Sequence, residues 1–313
     1  MKISIITCVY NTEKYLRRCF DSIRNQKCAD FEVIVINDGS PDNSQVIIDE
    51  YVKKDSRFRS IQQENRGVAG ACNRGIDESK GEYIVFVDGD DEIKEDYLSS
   101  FSKVIDNNLD FGFSRYTRVF DNKPNILEKN FNYINAEKTD ITSTQKNPEI
   151  LIKIPNAMHS KIFRKQFLID NGIQYCSDVL YIDFLYTQKV LLCNPSMTYI
   201  DDDGFIYHVR SGSIMTGSGE RILKIFDAFD AIVEFAKTKN CYDFYFKELE
   251  YLAFHHVAIG TMYRYFRYKP FSFFSTLRKC RNYLKKYGFK RSNKYIKKLG
   301  LFERVYLFIF FTI

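Results

Sequence analysis

Three carboxylates stand together in Asp88-Gly89-Asp90-Asp91, directly after the β-rich run Tyr83 to Val87. Like charges at that spacing repel, so acids crowded in this way resist ionising. A hard divalent cation removes the repulsion, because it prefers oxygen ligands and shares them with phosphate groups. The plain alternative is an acidic turn in solvent, bent at Gly89. Two other polar clusters follow apolar runs in the same manner. Tyr10-Asn11 follows Ile3 to Val9, and Asn37-Asp38-Gly39-Ser40 follows Phe31 to Ile36.

The elements that must position these clusters are legible from periodicity. Lys2 to Val9, Phe31 to Ile36 and Tyr83 to Val87 are short, continuous and β-rich, as buried strands are. Phe58 to Gln62 is a weaker fourth. Asn11 or Thr12 caps a helix that carries Tyr15, Leu16, Cys19, Phe20 and Ile23 at helical spacing. Ser40 reads as an N-cap, with Pro41 opening a helix that runs through Lys53. Another helix spans Val68 to Ser79, with Gly81 near its C-cap. Alternating strand and helix predict a parallel sheet with helices on both faces. Ligands of such sheets bind beyond the carboxyl ends of the strands, where all three polar clusters fall. That convergence favours a site over an acidic turn.

The rest of the chain reads less sharply. The polar stretch from Phe120 to Pro148 suggests a long loop or lid. Helical pattern returns at Tyr181 to Leu192. Beyond Glu220 the chain is helix-like and aromatic, and it closes on the apolar run Val305 to Ile313.

Composition bounds the function. The chain has 313 residues, 45% hydrophobic and 27% charged, which suits a folded α/β domain plus a smaller appended region. Its net charge of +6 is uneven: from Arg264 to Arg304 there are fourteen Lys or Arg against Glu303 alone. Such a block suits anionic lipid or nucleic acid, or a solvated helical tail. The basic-aromatic run Tyr263-Arg264-Tyr265-Phe266-Arg267-Tyr268-Lys269 favours a membrane surface. No nucleic-acid-binding motif accompanies it. The eight cysteines (Cys8, Cys19, Cys28, Cys72, Cys176, Cys193, Cys241, Cys280) include no C-x-x-C pair, which argues against a zinc site or a disulfide framework. Free thiols suggest a reducing compartment. No signal peptide and no membrane-spanning run is apparent, so the expected address is the cytoplasm or the inner face of the cell membrane.

The motifs in order resemble those of the family 2 glycosyltransferases with the GT-A fold. Ile3-Ser4-Ile5-Ile6 to Val9-Tyr10-Asn11 resembles the opening of that family. Glu32-Val33-Ile34 with Asn37-Asp38-Gly39-Ser40 continues the pattern. Glu64-Asn65-Arg66-Gly67-Val68, Asn73-Arg74-Gly75-Ile76 and Gly81-Glu82-Tyr83-Ile84 running into Asp88-Gly89-Asp90-Asp91 complete it. The likeness is dense over the first hundred residues and sparser to about Met215.

The resemblance implies an α/β, Rossmann-like GT-A fold: a mixed central sheet with helices on both faces, plus a C-terminal helical, basic, membrane-associating region. The domain would span 1–217, with a nucleotide-sugar half at 1–100 and an acceptor half at 101–217. The helical region would span 218–313. The implied activity is inverting transfer of a sugar from a nucleotide sugar, most often a UDP-sugar. The acceptor would be a hydroxyl of a glycan or lipid-linked glycan, in capsule, exopolysaccharide or surface glycan synthesis.

Roles follow from the same resemblance. Asp38 would bind the base, and Tyr10, Asn11 and Glu13 would line the nucleoside pocket. Asp88 would sit near the ribose. Asp90 would ligate Mn²⁺ or Mg²⁺ with the donor diphosphate, and Asp91 with Gly89 would hold the donor sugar or the loop. Asn73 belongs to the donor-side motif. Asp183, in Tyr181-Ile182-Asp183-Phe184, keeps the position of the general base, although Ile182 replaces the usual Glu; Asp178 is its nearest competitor. His159-Ser160-Lys161-Ile162-Phe163-Arg164 resembles W-N-K-L-F-R with His in place of Trp. Tyr207-His208-Val209-Arg210 with Gly212-Ser213-Ile214 resembles Y-x-x-R…S-I. Arg210 would bind the leaving diphosphate, and His208 would join the metal. Cys72 stands where the family usually carries Arg. A sugar nucleotidyltransferase would show a Gly-rich, Arg-containing loop where this chain has Tyr10-Asn11-Thr12-Glu13. A non-catalytic nucleotide- or glycan-binding subunit of the same fold is the other alternative, raised by Ile182 and Cys72.

Overall fold

The computed structural model describes residues 2–120, 123–129, 141–177, 179–210, 220–268, 273–289 and 293–296. Its first part alternates as expected: β1 (Ile3–Val9), α1 (Glu13–Arg24), β2 (Phe31–Asp38), α2 (Ser44–Lys54), β3 (Phe58–Gln63), α3 (Gly67–Glu78) and β4 (Tyr83–Phe86). β2 is buried at every position, and β1 at every position but Cys8, which is why both read as unbroken apolar runs. β1, β2, β3 and β4 pair in parallel, in the order β3-β2-β1-β4. α1 buries Leu16, Cys19, Phe20 and Ile23 on one stripe.

The helix start expected at Ser40 and Pro41 lies later, at Ser44. Asp42 is the cause. Its Oδ1 accepts the Ser44 backbone N–H (3.1 Å) and the Ser40 hydroxyl (2.6 Å), so a turn precedes the helix. Gly81 serves packing rather than a C-cap. A Cβ there would lie 2.6 Å from the Ser4 backbone nitrogen, while α3 ends on extended Ser79.

After β4 come β5 (Glu92–Ile93), α4 (Tyr97–Ser100), α5 (Ser102–Asp106), β6 (Phe111–Phe120), β7 (Lys123–Lys129), α6 (Ile150–Lys153), β8 (Lys161–Arg164), α7 (Lys165–Asp170), α8 (Ile182–Leu192) and β9 (Met197–Val209). β8 runs antiparallel to both β4 and β6, and β9 runs parallel to β6. The sheet is therefore mixed, nine-stranded, ordered β3-β2-β1-β4-β8-β6-β9-β5, with β7 paired to β6. The lid expected over Phe120 to Pro148 is partly strand, since β7 pairs antiparallel with β6. Residues 130–140 lie outside the described residues, as do Asp178, Gly212, Ser213, Ile214 and the run Val305 to Ile313.

The helical tail packs on the second half of the sheet. α9 (Ile225–Thr238), α10 (Phe246–Leu252), a π-helical stretch (Ala253–Gly260), α11 (Thr261–Tyr268) and α12 (Phe273–Lys286) follow in turn. α9 presents Ala228, Phe229, Ile232, Val233 and Ala236 to a core shared with Leu185, Val190 and Leu191 of α8. α12 buries Leu277, Cys280, Tyr283 and Leu284 against that same core, and the Tyr283 hydroxyl donates to Asp230 of α9 at 2.6 Å. Among the described residues, no helix is long and apolar enough to cross a membrane.

Candidate functional site

The cleft begins at the carboxyl end of β2. Asn37 Oδ1 accepts the Ser40 N–H at 2.9 Å, which bends the chain into a tight loop. Gly39 carries φ +68°, and a Cβ there would meet the Asn65 backbone nitrogen at 3.0 Å, so glycine is required twice over. Ser40 Oγ accepts the N–H of Asn11 at 2.8 Å, and Asn11 itself is left-handed at φ 54°. The first two polar clusters are thereby joined in one wall. Tyr10, half exposed, stands on its rim.

Asp38 is buried, and its Oδ1 accepts from Gln63 Nε2 (2.7 Å) and the Arg66 N–H (2.9 Å). It ties the loop before α3 to the end of β2. Glu13 receives the N–H of Asn43 at 3.0 Å, while its own N–H donates to Asp42 Oδ2 at 2.9 Å. Expected in the nucleoside pocket, the Glu13 carboxylate instead joins α1 to the start of α2. Asp42, which sequence reading passed over, completes this junction. Burial acts to raise its carboxyl, but bonds from Ser40, Ser44 and the Glu13 amide outweigh that and hold it at about 2.

The acidic loop follows β4. Gly89 sits where a Cβ would lie 3.0 Å from Thr12 Oγ1 and 3.2 Å from Leu16, so the loop presses against α1. Two arginines grip it. Arg210 Nε pairs with Asp90 Oδ2 at 2.7 Å, and Arg18 Nη2 donates to the Asp90 carbonyl at 2.7 Å. Both guanidinium groups lie near the ring of Tyr15, at 5.4 and 5.7 Å from its centroid. β5 delivers Arg210: its antiparallel pairing of Glu92 with Ile206 brings the end of β9 beside the loop.

Asp91 is fully buried. Its Oδ1 accepts the His208 backbone N–H at 2.9 Å, and its Oδ2 has no partner among the described residues. Its carboxyl is pushed well above the usual range by burial, then by Asp88 and Asp90. Asp91 thus anchors β9. The His208 ring does not turn to Asp90: Nε2 meets Glu92 Oε1 at 2.6 Å. His208, expected beside the metal, has this ring nitrogen engaged by Glu92.

Asp88 lines the cleft, ringed by protein yet reached by solvent. Its carboxyl is pushed up to about 7 by burial, then by Asp90 and Asp183. Asp183 thereby belongs to the same charged cleft as the acidic loop. It lies in the first turn of α8, where the helix dipole favours a carboxylate. Burial pushes it up to about 6, while Lys161 and the Met158 backbone amide pull back. Lys161, at the start of β8, is buried and donates to the Ala157 carbonyl. Burial lowers its ammonium to about 7, opposed by Asp183. Nothing in its sequence position as a strand residue foretells an interior cation.

Two other expectations resolve clearly. Asn73 donates Nδ2 to the Tyr175 carbonyl (3.0 Å) and accepts the Tyr175 N–H on Oδ1 (2.9 Å). Asn73, expected on the donor side, forms a staple between α3 and the segment before α8, with one bond at each end of its amide. His159 does the work of the aromatic it replaces. Its ring stacks on Phe205 (5.0 Å) and Tyr207 (4.9 Å), and burial holds it neutral, well below the usual imidazole range.

The chemistry of the cleft fits a divalent cation in one specific way. Among the described residues no group of three or more His, Cys, Asp or Glu is spaced to hold a metal unaided. Asp88 and Asp90 instead supply hard, mutually repelling oxygens at an open cleft. That donor set suits a cation completed by phosphate oxygens of a ligand.

With this geometry in place, comparison with known proteins is informative. The family model described as "Glycosyl transferase family 2" matches residues 4–172. The chain is 39% identical to "Putative glycosyltransferase EpsH" of Bacillus subtilis over 126 residues, 40% of this chain and 37% of that protein. It is 30% identical to "Glycosyltransferase GlyG" of Streptococcus pneumoniae over 224 residues, 68% of this chain and 72% of that one. Among solved structures, S. aureus TarS 1-349 in complex with UDP-GlcNAc superposes with a TM-score of 0.67 at 22% identity, covering 99% of this chain and 79% of that one. That likeness shows the fold, a GT-A arrangement of mixed sheet and flanking helices.

Proposed function

This chain belongs to glycosyl transferase family 2, and from that premise we propose that it transfers a sugar from a nucleotide sugar to a hydroxyl of a glycan or lipid-linked glycan with inversion at the anomeric carbon. The observation that carries the reading is that Asp183 lies near enough to the acidic loop to raise the Asp88 carboxyl, so both carboxylates belong to one cleft. The cleft has a nucleoside end, an anionic centre and a carboxylate poised above it.

Tyr10, Asn11 and Asp38 frame the nucleoside end. Asp90, with Asp88 beside it, would hold Mn²⁺ or Mg²⁺ together with the donor diphosphate. When bound, that cation supplies Lewis-acid stabilisation to the departing phosphates. Arg210 lies within 2.7 Å of Asp90 and offers its guanidinium to the same phosphates once they displace the carboxylate. Asp183 takes the proton of the acceptor hydroxyl as that oxygen attacks the anomeric carbon from the face opposite the leaving group. A carboxyl at about 6 is mostly ionised at neutral pH and is a stronger base than an ordinary aspartate. No covalent bond to the protein is required.

The donor is proposed to be a UDP-sugar, since TarS was solved with UDP-GlcNAc. The acceptor is proposed to lie at a membrane surface, with the enzyme peripheral on its inner face. Basic residues of α12 together with exposed Phe274 and Tyr263 support this. Turnover of a panel of UDP- and GDP-sugars with Mn²⁺, followed by nucleotide release, tests the reading. Metal-dependent release from one donor, lost in Asp90→Ala, is expected. Binding of UDP without turnover of any donor, in the presence of a competent acceptor extract, would instead identify a non-catalytic binding subunit.

A further inference from the structure

Under the acidic loop, two sulfur atoms face each other. Cys8 Sγ and Cys72 Sγ lie 3.5 Å apart, one on β1 and one on α3. The juxtaposition is built into the packing. Side chains alternate along β1, so Ser4, Ile6 and Cys8 all face α3. Gly75 lets the helix approach until a Cβ at that position would be 2.3 Å from Ile6 Cγ2. One turn earlier in the antiparallel helix, the same close approach sets Cys72 over Cys8. The pair is not isolated from solvent: Cys72 is buried, but Cys8 is only partly so. After Cys8 itself, the charges that Cys72 senses are Asp88 and Asp183, so the sulfurs lie near both carboxylates of the cleft.

We propose that Cys8 and Cys72 form an oxidisable dithiol, a modification site for low-molecular-weight disulfides, whose closure to an intramolecular disulfide shuts down the cleft above it. The chemistry balances as thiol–disulfide exchange. A small disulfide, R–S–S–R, enters through the cleft and meets Cys8. Cys8 sulfur bonds to one sulfur of the reagent, and the first RSH leaves with one proton. Cys72 sulfur then attacks Cys8 sulfur and expels the second RSH. Two protein thiols are oxidised, and one reagent disulfide is reduced to two thiols. The contact with Cys8, and then burial, disfavours the Cys72 thiolate and makes the second step slow. The proximity of the two sulfurs favours ring closure over a stable mixed disulfide.

Closure has a mechanical consequence. A disulfide bond is about 2.05 Å long, so the sulfurs must approach by more than an ångström from their present separation. β1 and α3 are packed without slack at Ile6 and Gly75, so whatever movement rotation of the two cysteine side chains does not supply falls on the carboxyl end of β1. That end carries Val9, Tyr10 and Asn11. The Cys8 carbonyl also lies 3.5 Å from where a Gly89 Cβ would stand, so the acidic loop rests on the same peptide. Displacing reacting groups by about 1 Å is enough to cost on the order of 100-fold in rate.

The loss of turnover rests on the transferase reading above; disulfide formation does not. The full-length protein, reduced and freed of reductant, is treated with oxidised glutathione, digested and mapped by mass spectrometry. Nucleotide release from the accepted donor is measured before treatment, after it, and after dithiothreitol. The expected result is a Cys8–Cys72 cross-linked peptide, a fall in turnover of at least about tenfold, and recovery on reduction. Bound UDP with Mn²⁺ slows the cross-link by covering the route to Cys8. Cys8→Ser, compared with its own untreated rate, keeps its turnover through the oxidation, because it lacks the partly exposed sulfur that the reagent meets first and Cys72 is buried. Stable glutathione adducts at Cys8, or no modification of either residue, overturn the proposal. A complete cross-link with unchanged turnover overturns the shutdown. A cross-link in a protein that turns over no donor even when reduced leaves the dithiol standing and sinks the transferase reading instead.

Discussion

The half of the molecule built on β1 to β4 and the half built on β6, β8, β9 and α8 contribute carboxylates to one cleft by opposite means. In the first, a short parallel strand points a loop at the cleft, and the loop's own sequence carries Asp88, Asp90 and Asp91. In the second, nothing local announces the site. Asp183 reaches the cleft because α8 packs against β8 and the C-terminal helices, and buried Lys161 comes with β8. One half supplies the proposed cation ligands through a loop; the other supplies the proposed proton acceptor through packing. The difference teaches that the acidic loop crowds its own charge, which raises the Asp88 carboxyl, whereas Asp183 is tuned by a buried lysine that packing sets near it.

The sharpest way to break this division is at Asp183. Asp183→Asn is isosteric and removes the base, so turnover is expected to fall by about 100- to 10,000-fold with UDP affinity little changed. Nucleotide release and UDP titration on one preparation measure both. If turnover persists, the second half contributes no base and the division fails.

A pH profile sharpens the contrast further. A base must be deprotonated to act, so the rate rises with pH through about 6, where Asp183 titrates. Mn²⁺ affinity measured by calorimetry should rise over a higher range, as Asp88 loses its proton near 7. A single shared inflection in both measurements would merge what the structure separates.

Stability separates the halves in another way. Asn73→Ala leaves the Tyr175 backbone unpaired across the junction and is expected to cost about 1–3 kcal/mol in urea unfolding, with the donor-binding loops still intact. The smallest effect is a gain. Folding holds the Asp88 pKa near 7 against an ordinary value of 3.8, so the folded state binds more protons across that window. Its contribution to stability is therefore present at acid pH and lost as pH rises toward 7. Asp88→Asn should raise the melting temperature of the metal-free protein at pH 8, and Mn²⁺ with UDP should raise that of the wild type but not of the variant. A variant that melts lower than the wild type at pH 8 would show that Asp88 is held by contacts and not tolerated for function.

Legibility in the sequence followed local signals closely. Strand–helix alternation up to Phe86 was readable because β1, β2 and β4 are buried on both faces and α1 has a single apolar stripe, while half-exposed β3 read more weakly. Loop positions followed, since the loops end those strands. The Ser40 start of α2 was misplaced because Asp42 and Glu13, which take the first free N–H groups, come from a turn and from another helix. Reading the polar tract after Phe120 as loop missed β7, because its composition is polar and only its antiparallel pairing with β6 makes it a strand.

By itself, then, the sequence determined the parallel half-sheet, the three loops at its carboxyl edge and the acidic identity of the last one, because these depend on period, propensity and neighbours in the chain. Tertiary structure alone decided which side chains remain available in the cleft. It spent Asn73 on Tyr175, His208 on Glu92 and Glu13 on Asn43, and it set Lys161 near Asp183 and Cys72 against Cys8. A side chain's residue type states what it is able to bind or donate. Whether that capacity is left over for a ligand depends on partners brought together only when distant segments pack.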